Sequence, residues 1–155
     1  MKYHIFSTQF ASIANQIFSD IFVSDTILNV SNLDTQKAVK CKGLWDTGAM
    51  YSVISDRIVK QLNLPIISKT PIIGISGTIV TTTHIIDLWL PDNIVFRKVR
   101  VAKSKFPKDF DFLIGMDIIT RGDFCIPNYD GKTLFSFRYP SVAPVDFQVL
   151  FSKKI

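Results

Sequence analysis

Asp46 is the residue of this chain most suggestive of chemistry. It closes the apolar pair Leu44-Trp45 and is followed by Thr47, Gly48 and Ala49. A Gly two positions after an acid admits positive φ and lets backbone N–H groups approach the carboxylate. That is an unusual place for a charge, and it makes Asp46 the first candidate for acid–base chemistry. The plainer alternative is a surface Asx turn, for which Asp and Gly are ordinary residues. Other chemistry-bearing groups are scattered. His4 and His84 lie far apart, and Cys41 and Cys125 lack both Cys-x-x-Cys spacing and a neighbouring His. No metal site is expected from them, and two isolated thiols suit a reducing compartment. Asp111, Asp117 and Asp123 are the competing acids. Asp117 opens a short helical segment, where the helix dipole or a local hydrogen bond accounts for it; Asp111 and Asp123 read as exposed acids at turns or strand ends.

The elements that must position Asp46 read mostly as strands. Ile27-Leu28-Asn29-Val30 and Lys37 to Trp45 form a strand, a turn at Asn32-Leu33-Asp34 and a return that delivers Asp46. In that return Val39, Cys41, Gly43 and Trp45 share one face. Tyr51 to Ile54 is a short strand. Ser55 then caps a helix over Asp56 to Leu62 that Pro65 closes. Gly74-Ile75-Ser76-Gly77-Thr78 tips a hairpin between Pro71-Ile72-Ile73 and the long β-rich run Ile79 to Leu90. Without a following Lys-Ser/Thr or a helix, that tip is a poor phosphate loop. Ile94 to Val101 is a further strand. Phe110 to Gly115 runs into a helical segment, Met116 to Arg121, which Gly122 stops. Asn128-Tyr129-Asp130-Gly131 turns a last hairpin. Phe6, Phe10, Ile13, Ile17 and Ile21 recur at three- or four-residue steps, so residues 1–26 are expected to be an N-terminal arm or short amphipathic helix, covering the core or contacting a second subunit. Residues 139–155 form a tail in which Phe147 to Phe151 either adds an edge strand or lies loose.

Composition sets the frame. The 155 residues are 47% apolar and 20% charged, rich in Ile, Val, Phe and Thr, which points to one soluble, all-β domain. The formal charge of +5 is densest at Arg97, Lys98, Arg100, Lys103, Lys105 and Lys108. Alternation with Val99 and Val101 makes these the wet face of a strand, and a nucleic-acid interface is disfavoured. No apolar run is long enough to span a membrane. The N-terminus is too interrupted by polar residues for a secretory signal, so a cytoplasmic location is expected.

Taken in order, Leu44-Trp45-Asp46-Thr47-Gly48-Ala49, the Gly-tipped hairpin and Leu113-Ile114-Gly115-Met116-Asp117 resemble the retropepsin-like aspartic proteases over residues 27–138. The resemblance implies a closed β-barrel with a flap hairpin and one or two short helices, in which the Gly115 segment completes the loop beneath the Asp46 turn. Only one Asp-Thr-Gly is present, so it also implies a homodimer in which two copies of Asp46 meet at the two-fold axis. Retroviral members usually carry an acid after Asp-Thr-Gly-Ala and an Arg after the later Gly. Here Met50 and Met116 stand in those places, a pattern closer to cellular and bacterial members. Both charges are missing together, so neither is stranded.

The implied activity is peptide-bond hydrolysis with no metal and no cofactor, acting on a peptide or protein substrate. Asp46 is the implied catalytic acid and base. Thr47 would lock the two turns across the axis and Gly48 would support the carboxylate. Ala49, Gly74, Ser76 and Gly77 would meet the substrate main chain, while Ile73, Ile75, Ile79 and Ile114 either line side-chain pockets or belong to the core. The alternative is a catalytically silent dimeric domain of the same fold that binds peptides or proteins.

Overall fold

The computed structural model describes residues 2–26, 37–74, 77–106 and 109–151. In chain order these form β1 (His4–Gln9), β2 (Ile17–Asp25), β3 (Ala38–Trp45), β4 (Val53–Ser55), α1 (Asp56–Gln61), β5 (Ser68–Gly74) and β6 (Gly77–Leu90). Then follow β7 (Ile94–Ser104), β8 (Phe112–Ile114), α2 (Met116–Ile119), β9 (Asp123–Cys125), β10 (Asn128–Tyr129), β11 (Lys132–Tyr139) and α3 (Phe147–Phe151). The strand expected at 27–30 and its turn at 32–34 lie outside the described residues.

One sheet runs β2-β3-β8-β4-β7-β6-β5, and a further pairing of β2 with β6 closes its first six strands into a barrel. Closure removes the open edges that a sheet of this size would otherwise present. β5 and β6 continue beyond the barrel as the expected hairpin, in register from Ser68 opposite Thr83 to Gly74 opposite Gly77. A second sheet carries β1, β9 and β10 on β11. Its Asp-Gly turn forms as read, with Asp130 at φ 51° and Gly131 at φ 70°, the pair of left-handed residues that a tight hairpin requires.

The helix expected from the spacing of Phe6 to Ile21 is overturned. β1 and β2 occupy that stretch, and β2 is a barrel stave paired to both β3 and β6. Ile17 and Ile21 are four apart, a spacing that suits a helix and a strand alike. What hid the two-residue alternation of Ile17, Ile21 and Val23 is that its second position is filled by Ser19, and that Ser24 on the opposite face is buried as well. Their hydroxyls accept the indole N–H of Trp45 (2.9 Å) and Trp89 (3.1 Å), which satisfies both buried groups. The edge strand considered for the tail is likewise replaced by α3, whose first turn is capped by Asp146 Oδ1 accepting from Gln148 N (2.8 Å).

Aromatic packing joins the two sheets directly behind the site. Trp45 lies 5.0 Å from the rings of both Phe135 and Phe137, and 5.6 Å from Phe124, centroid to centroid. Phe6 of β1 packs against the same group. The last residue of β3 is therefore held by the core from both sheets. On β7, Arg97, Lys98 and Arg100 are exposed while Val99 and Val101 are buried, the expected wet face. A bulge opposite Asp87 puts Lys98 at φ 54°, and buried Asp87 accepts from Lys98 N (2.9 Å) and from the Arg97 guanidinium. His84 is buried between Thr82 and the Pro65 carbonyl, so its place is structural.

Candidate active site

The Asp46 turn hangs from two strands that run side by side. β3 and β8 are parallel, with Trp45 opposite Ile114, and one step further Asp46 N donates to the Ile114 carbonyl at 3.0 Å. The chain then bends: Gly48 N donates to Asp46 Oδ1 at 2.8 Å and Ala49 N to the Asp46 carbonyl at 3.3 Å. Among the described residues, the Gly48 amide is the side chain's hydrogen-bond partner. Asp46 is half-buried, while Thr47 and Gly48 are exposed. Positive φ is not what Gly48 supplies, since it is absent from the left-handed residues of the chain. A Cβ there would come 3.1 Å from Asp46 Oδ1, so close approach is the reason for Gly.

The Gly115 segment lies against the turn as expected. Met116 N donates to the Ala49 carbonyl (2.8 Å) and Asp117 N to the Met50 carbonyl (3.2 Å). Met50 and Met116, which stand where an ion pair could have been, each bond through main chain to the other's neighbour. Ser52 was read only as part of a strand, yet its fully buried hydroxyl accepts from Gly115 N (3.1 Å) and donates to Asp117 Oδ1 (2.8 Å). Asp117 does stand in the first turn of α2, but its hydrogen bond is not the local one expected: the partner lies 65 positions away.

Of the other named residues, Ile73 (83% exposed) and Ile79 (56%) stand on the hairpin, open to whatever it covers. Gly74 and Gly77 face each other across its tip; Ile75 and Ser76 lie outside the described residues. Of the two places read for Ile114, pocket or core, it takes the core. Its side chain is fully buried in the barrel and only its carbonyl reaches the turn, because the middle residue of three-residue β8 faces outward and its neighbours face in. Beside Asp46 a depression of about 320 Å³ opens between the β1–β2 loop and β9, lined among others by Ala14, Gln16, Thr47, Phe124 and Ile126. No cluster of three or more His, Cys, Asp or Glu that could hold a metal occurs among the described residues.

Asp111 and Asp123 are not the exposed acids they were read to be. Arg57 donates to both oxygens of Asp111, Nε to Oδ1 (2.9 Å) and Nη2 to Oδ2 (2.5 Å), and Ser55 Oγ adds a bond at 2.8 Å. Asp123 is bound by Arg138 and Ser141. The Arg57 hydrogen bonds hold the Asp111 carboxyl below the usual carboxylate range, against the opposing effect of burial, and Ser55 reinforces them. Since the folded value is depressed, the stability this pair contributes is full above about pH 4 and is lost as pH falls through the folded value. Asp111→Asn is therefore expected to lower the thermal midpoint at neutral pH and to flatten its decline below about pH 4. An unchanged acid slope would show that Asp111 is not among the groups that titrate on unfolding. On the neighbouring strand, burial pushes the Cys41 thiol up to about 12, with Asp111 adding to the shift, so it stays neutral.

The aspartyl protease family's sequence profile matches residues 32–118, more than half of the chain, and the chain belongs to that family. Its fold is retropepsin-like. A retropepsin-like aspartic protease from Rickettsia conorii superposes with a TM-score of 0.53 at 11% identity, over 89% of this chain and 96% of that one. The protease of EIAV, in complex with the inhibitor HBY-793, gives 0.49 at 18% identity over 68% and 86%. No curated protein matches the sequence.

Proposed function

We propose that the protein is an aspartic endopeptidase that works as a homodimer, with Asp46 from each copy at the two-fold axis. The observation that carries this reading is the state of Asp46 in one chain. A carboxylate fixed by its own turn, with Oδ2 left without a partner among the described residues, is half of a site. Exposed apolar surface beside it favours a second copy: Met50 is 74% and Tyr51 67% exposed in the residues that follow the turn.

Two carboxylates about 3 Å apart do not both ionise readily, so the pair shares one proton. The ionised oxygen takes a proton from a bound water, the water attacks the scissile carbonyl, and the protonated partner donates to the developing oxyanion. Titration steps then belong to the pair rather than to either Asp46. Thr47 links the two turns and Gly48 holds the carboxylate from behind. Ala49 leaves room for the substrate main chain. The β5–β6 hairpin is the flap, presenting Ile73, Gly74, Gly77 and Ile79 to the peptide.

Sedimentation in dilute solution, with hydrolysis of a diverse peptide library followed on the same sample, tests the reading. A dimer mass together with cleavage slowed by a statine-type inhibitor such as pepstatin is expected. A strictly monomeric protein overturns it. A dimer that binds peptides but cleaves none from acidic to neutral pH assigns the protein to the silent binding domain instead.

A further inference from the structure

Five hydrogen bonds join the segment 46–52 to the segment 114–117 and its side chains. Three run from main chain to main chain: Asp46 N to Ile114 O, Met116 N to Ala49 O and Asp117 N to Met50 O. Those three depend on backbone and survive most substitutions. The remaining two pass through one atom, Ser52 Oγ. A hydroxyl has a single proton. Because Gly115 N–H occupies a lone pair of Ser52 Oγ at 3.1 Å, the Ser52 proton is left for Asp117 Oδ1 at 2.8 Å. The relay Gly115 N–H to Ser52 O–H to Asp117 thus has a fixed direction and is the side-chain link between the Asp46 turn and the segment beneath it. Ser52 is fully buried and Asp117 half-buried, so the relay is shielded from water at its Ser52 end.

We propose that Ser52 and Asp117 are positioning residues for catalysis, setting where the Asp46 turn stands relative to the Gly115 segment. The inference rests on the reading of Asp46 as the catalytic carboxylate. Asp117 acts as a hydrogen-bond acceptor and not as a charge. Arg121, the nearest cation in sequence, sends its Nε to the Asp117 carbonyl at 2.9 Å and not to the carboxylate, and no salt bridge to Asp117 occurs among the described residues. An amide oxygen at the same position fills the same role. A side chain without an acceptor leaves the Ser52 proton unpaired in a buried place, and the turn shifts to relieve it.

Ser52→Ala, Asp117→Asn and Asp117→Leu, compared with the wild type, test this by kcat and KM on a cleaved peptide, thermal midpoint and hydrogen exchange at the Gly115 amide. A displacement of the order of 1 Å costs about a hundredfold in rate, so Ser52→Ala and Asp117→Leu are expected to lower kcat roughly 10- to 100-fold with KM little changed. Asp117→Asn is expected to stay within about threefold of wild type, and the double variant Ser52→Ala/Asp117→Leu to be no worse than the poorer single one, since both break one relay. Gly115 exchange should quicken in Ser52→Ala. Asp117→Asn falling as far as Asp117→Leu overturns the acceptor role, and undiminished kcat in both Asp117→Leu and Ser52→Ala overturns positioning altogether. Should Ser52→Ala fail to fold, the two Asp117 variants decide. A wild type that cleaves nothing fails the catalytic reading of Asp46 and the positioning role with it; Gly115 exchange still reports separately whether the relay exists.

Discussion

Asp46→Asn is expected to remove peptide hydrolysis, by at least about a thousandfold, while leaving the thermal midpoint and the solution mass unchanged. The substitution keeps the shape of the side chain. Gly48 N, now 2.8 Å from Asp46 Oδ1, donates equally well to an amide oxygen, so the turn retains its internal bond. The Asp46 side chain faces no cation among the described residues, and neutralising it strands no partner charge. What is lost is the ability to take a proton, which is the whole of the proposed chemistry. At the two-fold axis the change removes the need for the pair to hold a shared proton when two copies meet, so the dimer should hold at least as tightly as in the wild type. Stability and catalysis therefore part company in this variant. Retained cleavage would show that another acid does the work, and a parallel loss of fold would show that Asp46 is chiefly structural.

Much of this arrangement was legible because strong local patterns carry it. The alternation Val39, Cys41, Gly43, Trp45 named the buried face of β3 and therefore the end at which Asp46 emerges. Ser55 capped α1 as read, accepting from Ile58 N at 3.3 Å. The hairpin and the Asp-Gly turn followed from Gly placement. Failures came where local pattern and distant partner disagree. Ser19 and Ser24 look like solvent-facing residues until Trp45 and Trp89 are seen to need acceptors, and only a fold shows that. Asp111 looked exposed because its partner Arg57 is 54 positions away. Ile114 fits a pocket as well as a core until β8 is paired on both sides, with β3 and with β4. Ser52 carries no signal in isolation; its importance comes from meeting Gly115 and Asp117, more than sixty positions later.

Gly115→Ala is expected to damage both fold and activity, and the reason is space and not backbone conformation. At φ −92° and ψ −175° Gly115 is in an extended conformation that Ala adopts freely. A Cβ added there, however, would lie 2.6 Å from Tyr51 C, 2.8 Å from Tyr51 O and 3.0 Å from Ala49 O. All three are main-chain atoms, so no side chain can swing aside. The segments cannot simply separate either, since Gly115 N is bonded to Ser52 Oγ and Met116 N to Ala49 O, and moving apart opens both. Overpacking of this kind costs about 1–3 kcal/mol, which for a domain of this size lowers the thermal midpoint by roughly 3–10 °C. Activity should fall further than stability predicts, because the atoms pushed away belong to the turn that holds Asp46. Gly48→Ala makes the useful contrast: among the described residues its Cβ meets only Asp46 Oδ1, at 3.1 Å, so it should spare the midpoint while still displacing the carboxylate. Thermal melts and peptide hydrolysis on the two variants check both expectations, and a Gly115→Ala protein with wild-type midpoint and rate would mean that the two segments do not pack in this way.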